Sequence, residues 1–229
     1  MALSTTPAKH PSKDVNLSGQ DVKLTALIPD HAESLFPNIS GSQNDRLWIY
    51  MPYGPYSTLQ TFQSDIATKS LSQDPVFYAI LSKTNSQPIG HAALMRIDTR
   101  NRVIEIGHVL YSPSLQRTRA ATEVQYLLLK YCFEELGYRR VEWKCDARNE
   151  PSKKAALRLG FKYEGTFRQH MIIKGENRDT AWFAILDGEW DVVKGALQEW
   201  LQLGNFDKEG KQRRALEAIR QGPLGSASV

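Results

Sequence analysis

At 229 residues, with 41% hydrophobic and 24% charged side chains, the chain has enough apolar material for one substantial core. A net charge of +4 and a pI of about 9.0 permit an anionic ligand, but the scattered lysines and arginines argue for an ordinary solvated surface rather than a nucleic-acid partner. Two cysteines, Cys132 and Cys145, exclude a disulfide framework and a cysteine-based metal site, and no apolar run approaches the roughly 20 residues that cross a bilayer.

With no signal-peptide core at the N-terminus either, a cytoplasmic protein is the expectation. Residues 1–20, which have almost no apolar periodicity, read as a flexible tail. Residues 21–204 read as one folded unit, and 205–229 as an extension that is partly helical or disordered. Its apolar positions Leu216 and Ile219 are too few to define a partner helix.

Within the folded unit, Val22 to Ile28 suits a first strand. Asp30 with Glu33 resembles a capping box opening a short helix, and Ser57 with Gln60 a second one that runs to about Leu71. Between them lies the aromatic, proline-rich stretch WIYMPYGPY. From Pro75 the period changes: PVFYAILSK, IGHAALMRI and RVIEIGHVLYS are separated by the polar turns TNSQP and DTRN, which predicts an antiparallel meander.

Ala121, Val124, Leu127, Leu128, Tyr131 and Cys132 then recur at helical steps, and Gly137 closes that helix. VEWKCDA alternates like a strand with two different faces. NEPSKKAALRLG reads as a short helix with Pro151 in its first turn and Gly160 past its end. FKYEGTFRQHMIIK and RDTAWFAIL form a hairpin through Gly175-Glu176-Asn177, and a helix from about Glu189 to Leu203 closes the unit. The central strand–helix–strand unit requires parallel strands, so the expected fold class is α+β, a mixed and mostly antiparallel sheet flanked by helices.

The segment LQRTRAATE, Leu115 to Glu123, joins a strand to a helix and so can aim unpaired N–H groups at an anion. It carries no glycine; Arg117 and Arg119 could supply charge to phosphate oxygens instead, and an arginine-rich surface turn capped by Thr118 is the alternative. Four motifs occur in order: Glu105-Ile106-Gly107, then Gln116 to Ala121 with Thr122 and Glu123 following, then Asn149 and Ser152, then Leu159-Gly160-Phe161 with Glu164-Gly165. Together they resemble the GNAT acyl-CoA N-acyltransferase superfamily, and within it the RimJ/RimL-like branch of ribosomal-protein alanine acetyltransferases.

The resemblance implies a sheet splayed between the strands ending near Tyr111 and Asp146, and an enzyme that moves an acetyl group from acetyl-CoA directly to a primary amine. A small metabolite, an amino acid derivative or a protein N-terminus could supply that amine. It further implies that Val109, Leu110 and Tyr111 pair with the pantetheine arm. Gln116, Arg117, Thr118, Arg119, Ala120, Ala121 and Thr122 hold the pyrophosphate, with Arg119 standing where the family motif has glycine. Asn149 and Ser152 lie near the pantetheine and the thioester sulfur.

Two familiar roles do not transfer. Ala156 stands where some members have an acidic tyrosine, and Lys144 where some have a basic glutamate. Ser152 is the substitute for the first role, with helix capping as its bland alternative. Glu142, on the same strand face as Lys144, is the candidate base, with Glu105 and His108 as rivals. The resemblance further implies an amine acceptor held between the segment joining the first two helices and the last hairpin, here Trp48, Tyr50, Met51, Tyr53, Tyr56 and His108 on one side and Arg168, His170 and Asp179 on the other. Asp179 could equally pair with Arg168 or Arg178 to fix the hairpin. Two readings of other classes stay open: an idle acyl-CoA-binding protein, and an RNA- or ribosome-associated module. Oligomeric state is left open.

Overall fold

The computed structural model describes residues 5–222. Eight strands form one sheet: β1 (Leu17–Ser18), β2 (Val22–Ala26), β3 (Val76–Ser82), β4 (Pro88–Asp98), β5 (Val103–Tyr111), β6 (Arg140–Asp146), β7 (Lys162–Ile173) and β8 (Glu176–Leu186). Their spatial order is β1-β2-β3-β4-β5-β6-β8-β7. Every adjacent pair is antiparallel except β5 and β6, as the strand–helix–strand unit demands.

Helices cover both faces. On one side α3 (Arg119–Lys130), α4 (Glu150–Leu159) and α5 (Asp187–Trp200) bury Val124, Leu128, Leu159, Leu197 and Trp200 against Ile104, Ile106, Val141 and Phe183. On the other, α1 (His31–Ile39) and α2 (Leu59–Leu71) bury Leu35, Ile39, Phe62 and Ile66 against Phe77, Ala79, Ala93 and Leu110. The second group covers only β2 to β5, so the same face of β6, β8 and β7 lies open beside it.

Local sequence accounts for most element ends. Thr118 caps α3, its hydroxyl accepting from Ala121 N at 3.1 Å, and Gly160 ends α4 at φ +108. The helix of α3 continues as a π-helical turn over Tyr131–Glu135 before Gly137. Two capping expectations are corrected. Asp30 makes no side-chain capping bond to α1, and the cap of α2 is Thr58, accepting from Thr61 N, rather than Ser57. The β7–β8 turn is Lys174-Gly175, with Glu176 and Asn177 already in β8.

The supposed N-terminal tail is corrected more substantially. Ala8 N bonds Thr99 O and Lys9 N bonds Leu136 O, while Ser12 O accepts the Tyr78 hydroxyl at 2.9 Å. The Glu123 carboxylate accepts the backbone N–H groups of Gln20, Asp21 and Val22 at 2.6, 2.7 and 3.0 Å, clamping this segment to α3. Gly19 is required beneath that clamp, because a Cβ there would lie 2.2 Å from Glu123 Cδ. At the other end, α6 (Leu216–Arg220) buries both Leu216 and Ile219, and Arg220 Nη1 bonds Arg158 O of α4. Residues 223–229 of the expected extension lie outside the described residues.

Candidate active site

The parallel pairing of β5 and β6 stops early. Val103, Ile104 and Glu105 face Arg140, Val141 and Glu142, and beyond them the two strands diverge, β5 continuing to Tyr111 and β6 to Asp146. A V-shaped opening results, with one edge of β5 from Ile106 onward lacking a strand partner. β5 also carries a bulge: its register with β4 shifts between Ala93↔Gly107 and His91↔Leu110, so two residues of β5 oppose one of β4. His108 sits in that bulge at φ +48. The extra residue turns Val109 and Tyr111 toward α3, where they pack on its core, and His108 and Leu110 toward α2.

The wide end of the V meets the loop before α3. Gln116 Nε2 donates to Tyr111 O at 3.2 Å, and Gln125 Nε2 donates to the Tyr111 hydroxyl at 2.6 Å, fixing the strand end against the helix. Arg117 adopts φ +62, the conformation a glycine would favour, and is exposed. Among the described residues no acceptor meets the N–H groups of Arg117, Thr118, Arg119 and Ala120, which cluster at the positive end of α3. Arg119 itself is a correction. Its guanidinium bonds Asp21 Oδ1 at 2.5 Å, Gln20 Oε1 at 2.8 Å and Leu201 O at 2.9 Å, so the side chain ties the N-terminal segment to the end of α5 rather than reaching a phosphate. Thr122 is buried and accepts from Arg158 Nη1.

At the narrow end, Glu142 and Glu105 face one another across the last paired residues. Lys144 Nζ lies 2.6 Å from Glu142 Oε2 and 2.9 Å from Glu105 Oε2, and 4.0 Å above the Trp182 ring. Arg140 Nε holds the other oxygen of Glu142 at 2.8 Å, and Arg96 Nε lies 3.1 Å from Glu105. Glu142 thus serves as a bridge between two cations at the closed end of the V. Both of its oxygens are engaged there, so the base role expected of it has no free carboxylate oxygen behind it. Burial raises the Glu105 carboxyl above the usual range, with Lys144 and Arg96 opposing the shift.

Asn149 and Ser152 open α4. Asn149 Oδ1 accepts Ser152 N at 3.1 Å, which makes it the helix cap. Ser152 Oγ accepts the Trp143 indole N–H at 3.0 Å, leaving its own hydroxyl proton to donate.

The aromatic loop divides between core and cleft. Trp48 is a core residue, buried with its indole N–H donating to Ile39 O, and the substrate role expected of it is corrected. Tyr53 stacks on His108 with ring centroids 5.6 Å apart, its hydroxyl 3.2 Å from His108 Nδ1. Tyr50 donates to Arg148 O at 3.0 Å, and Lys174 Nζ donates to Trp48 O at 2.8 Å, so the loop bridges to the β6–α4 connection and to the β7–β8 turn. Burial, with Lys69 close by, lowers His108 to about 4. The imidazole is therefore neutral at neutral pH.

On the opposite wall, Asp179 accepts Gln169 N at 2.7 Å and Asn177 Nδ2 at 3.0 Å. It fixes the β7–β8 irregularity and makes no ion pair with Arg168 or Arg178, which corrects the pairing expected of it. Arg168 is exposed on β7, and His170 Nδ1 lies 3.0 Å from Thr180 Oγ1. Sequence reasoning gave Arg178 only a hairpin role and overlooked Trp182. Both lie on the open face of β8, and their alternation with the core residues Ala181 and Phe183 was the available signal. No helix of the described residues is long and apolar enough to cross a membrane, and no group of metal-ligating side chains occurs among them.

Comparison with known proteins matches residues 21–162 to the family model described as the acetyltransferase (GNAT) domain. The chain is similar to the "Putative ribosomal N-acetyltransferase YdaF" of Bacillus subtilis, 27% identical over 183 residues that cover 76% of this chain and 96% of that one. A solved GCN5-related N-acetyltransferase from Brucella melitensis is 42% identical, with a TM-score of 0.92 over 94% of this chain and 98% of that chain. A probable GNAT-family acetyltransferase from Chromobacterium violaceum is 41% identical, with a TM-score of 0.76 over 83% and 98% of the two chains.

Proposed function

The chain belongs to the GNAT acetyltransferase family, and from that premise we propose that it is an N-acetyltransferase of the RimJ/RimL-like branch that uses acetyl-CoA as donor and a primary amine as acceptor. The observation that carries this reading is the V between β5 and β6. It offers an unpaired strand edge leading from free N–H groups at the start of α3 to a cleft walled by Tyr53 and His108. The bound donor supplies an acetyl group already activated as a thioester. The edge of β5 from Gly107 to Tyr111 suits the amide groups of the pantetheine arm, and the Gln116–Ala121 loop suits a pyrophosphate. Its backbone does that work, since Arg119 is engaged elsewhere.

The acceptor enters from the open face beneath the loop of residues 48–56. Attack converts the amine into a far stronger acid, so a weak base suffices to remove its proton. His108 is neutral and sits beside Tyr53 at the bulge where β5 turns toward α2, which suits it to that task, whereas both oxygens of Glu142 are tied to Lys144 and Arg140. The Ser152 hydroxyl then donates a hydrogen bond to the departing thiolate, while Asn149 caps the first turn of α4. A protein N-terminus and a small amine are both candidate acceptors; the name of the B. subtilis relative points to a ribosomal one.

Thiol release from acetyl-CoA, measured over a panel of amines and peptides, tests the reading. Amine-dependent release matched by acetylated acceptor is the expected result. Tight cofactor binding with no release on any amine would make the chain an idle binder.

A further inference from the structure

The open face of β6, β8 and β7 gathers several cations, most of them held by carboxylates. Glu105 is held by Lys144 and Arg96, Glu142 by Lys144 and Arg140, and Asp146 by Arg148 through its Nε at 3.1 Å and Nη2 at 2.9 Å. Asp65, on the α2 side of the cleft, pairs with Lys69. Two arginines of this wall make no such pair, exposed Arg168 and partly buried Arg178, and only the second has a donor shielded from solvent. The guanidinium of Arg178 makes no hydrogen bond or ion pair with any described residue, and its Nε–H is shielded from solvent without an acceptor.

Its position is specific. Arg178 lies on β8 just past the point where Thr180 faces Asp146, the last residue of β6. Its charge weighs on Asp146 and Cys145 at one arm of the V and on His108 at the other. His170 and Thr180, bonded to each other, lie beside it, and Trp182 with the Phe167 ring tilted against it at 4.5 Å forms the next stretch of wall. Burial lowers the proton affinity of Arg178, the signature of a guanidinium taken partly out of water without a bonded anion. A half-buried donor left unpaired is costly, and such sites gain most when a ligand completes them.

We propose that Arg178 binds a carboxylate of the acceptor, so that the favoured substrates are amines carrying a carboxylate close to the reacting nitrogen. This inference rests on the transferase reading above and assigns the acceptor class to the same cleft. The planar fork of a guanidinium matches a carboxylate through two parallel bonds, and neighbouring Lys144 and Arg96 are already neutralised. The carboxylate can belong to a free amino acid or to an acidic side chain near a peptide N-terminus.

Two measurements test it. The first compares kcat/KM for matched acceptors: an amino acid against its amide, and a short peptide with an acidic residue near its N-terminus against the carboxamide counterpart. The carboxylate member of at least one pair should be favoured by about 10- to 100-fold, and the pair that shows it identifies the source. Arg178→Gln should erase that preference, the loss falling mainly on the KM of the carboxylate member of the pair; Arg178→Lys should restore part of it. The second measures calorimetric affinity for the N-acetylated amino acid and for its amide, which requires no turnover. Wild type should favour the acid, and Arg178→Gln should not. A preference that survives Arg178→Gln overturns the proposal, as does an equal fall in kcat for every acceptor, which would make Arg178 part of the acetyl-transfer machinery. Selective binding of the acid without turnover on any amine would uphold the carboxylate site and refute the transferase reading.

Discussion

Replacing Lys144 with methionine is expected to lower the unfolding free energy by about 3–5 kcal/mol, the scale for breaking a buried ion network by removing one partner. The Lys144 side chain is only 4% exposed and bridges Glu105 and Glu142, themselves 7% and 10% exposed. Without it, two buried carboxylates on paired strands face one another, relieved only from outside by Arg96 and Arg140. The consequence has a sign in pH. Burial already raises the Glu105 carboxyl above its ordinary value, and loss of Lys144 raises it further. A carboxyl raised in the folded state favours folding while protonated and loses that contribution as pH rises. The defect should therefore be smaller near pH 5 than near pH 7, in equilibrium unfolding at each. The double variant Glu142→Gln/Lys144→Met should recover part of the loss, because it removes one of the stranded charges. An equal defect at both pH values, with no recovery in the double variant, would mean that the network is not what joins β5 to β6.

Acid should destabilise the wild-type protein well before its carboxylates titrate. His91 is wholly buried with neither ring nitrogen hydrogen-bonded, and burial holds its proton affinity far below the ordinary imidazole value. His108 is held at about 4 for the same reason, reinforced by Lys69. Both are neutral when folded and take up protons when unfolded below about pH 6.5. Their contribution is complete above that value and falls as pH drops toward 4, by about 1.4 kcal/mol per pH unit for each histidine. Denaturant midpoints measured from pH 7 to pH 4.5 should fall steadily, and His91→Leu should make the fall about half as steep. A flat profile over that interval would mean that one or both imidazoles are charged in the folded state.

The sequence made local features legible and left distant ones hidden. The period of α3, the turn glycines and the forced parallel pairing of β5 with β6 follow from residues close together in the chain, and the V follows from them. The bulge at His108 was not readable, because it depends on register with β4 rather than on composition. Arg119 was read as a phosphate ligand because it stands in the loop; its partners Asp21, Gln20 and Leu201 lie some eighty to a hundred residues away. The same separation hid the clamp of Glu123 on the N-terminal segment, which turned an expected tail into part of the sheet. Glu142 was chosen for its strand face correctly, but sequence offers no means of seeing that Arg140 and Lys144 both neutralise it. Arg178 was missed for the opposite reason: its meaning lies in the absence of a partner among the described residues, which only three dimensions reveal.

Backbone hydrogen exchange with and without acetyl-CoA tests the central claim, that the divergence of β5 from β6 is the donor site. Slowed exchange at Gly107–Tyr111 and Gln116–Ala121, with little change in α1, is the predicted result. An open depression of about 790 Å³ is built instead from α4, α6 and the start of β7, with Lys154, Arg158, Lys162 and Arg220 among its lining residues. Protection confined to that depression, with the edge of β5 exchanging as before, would contradict the account.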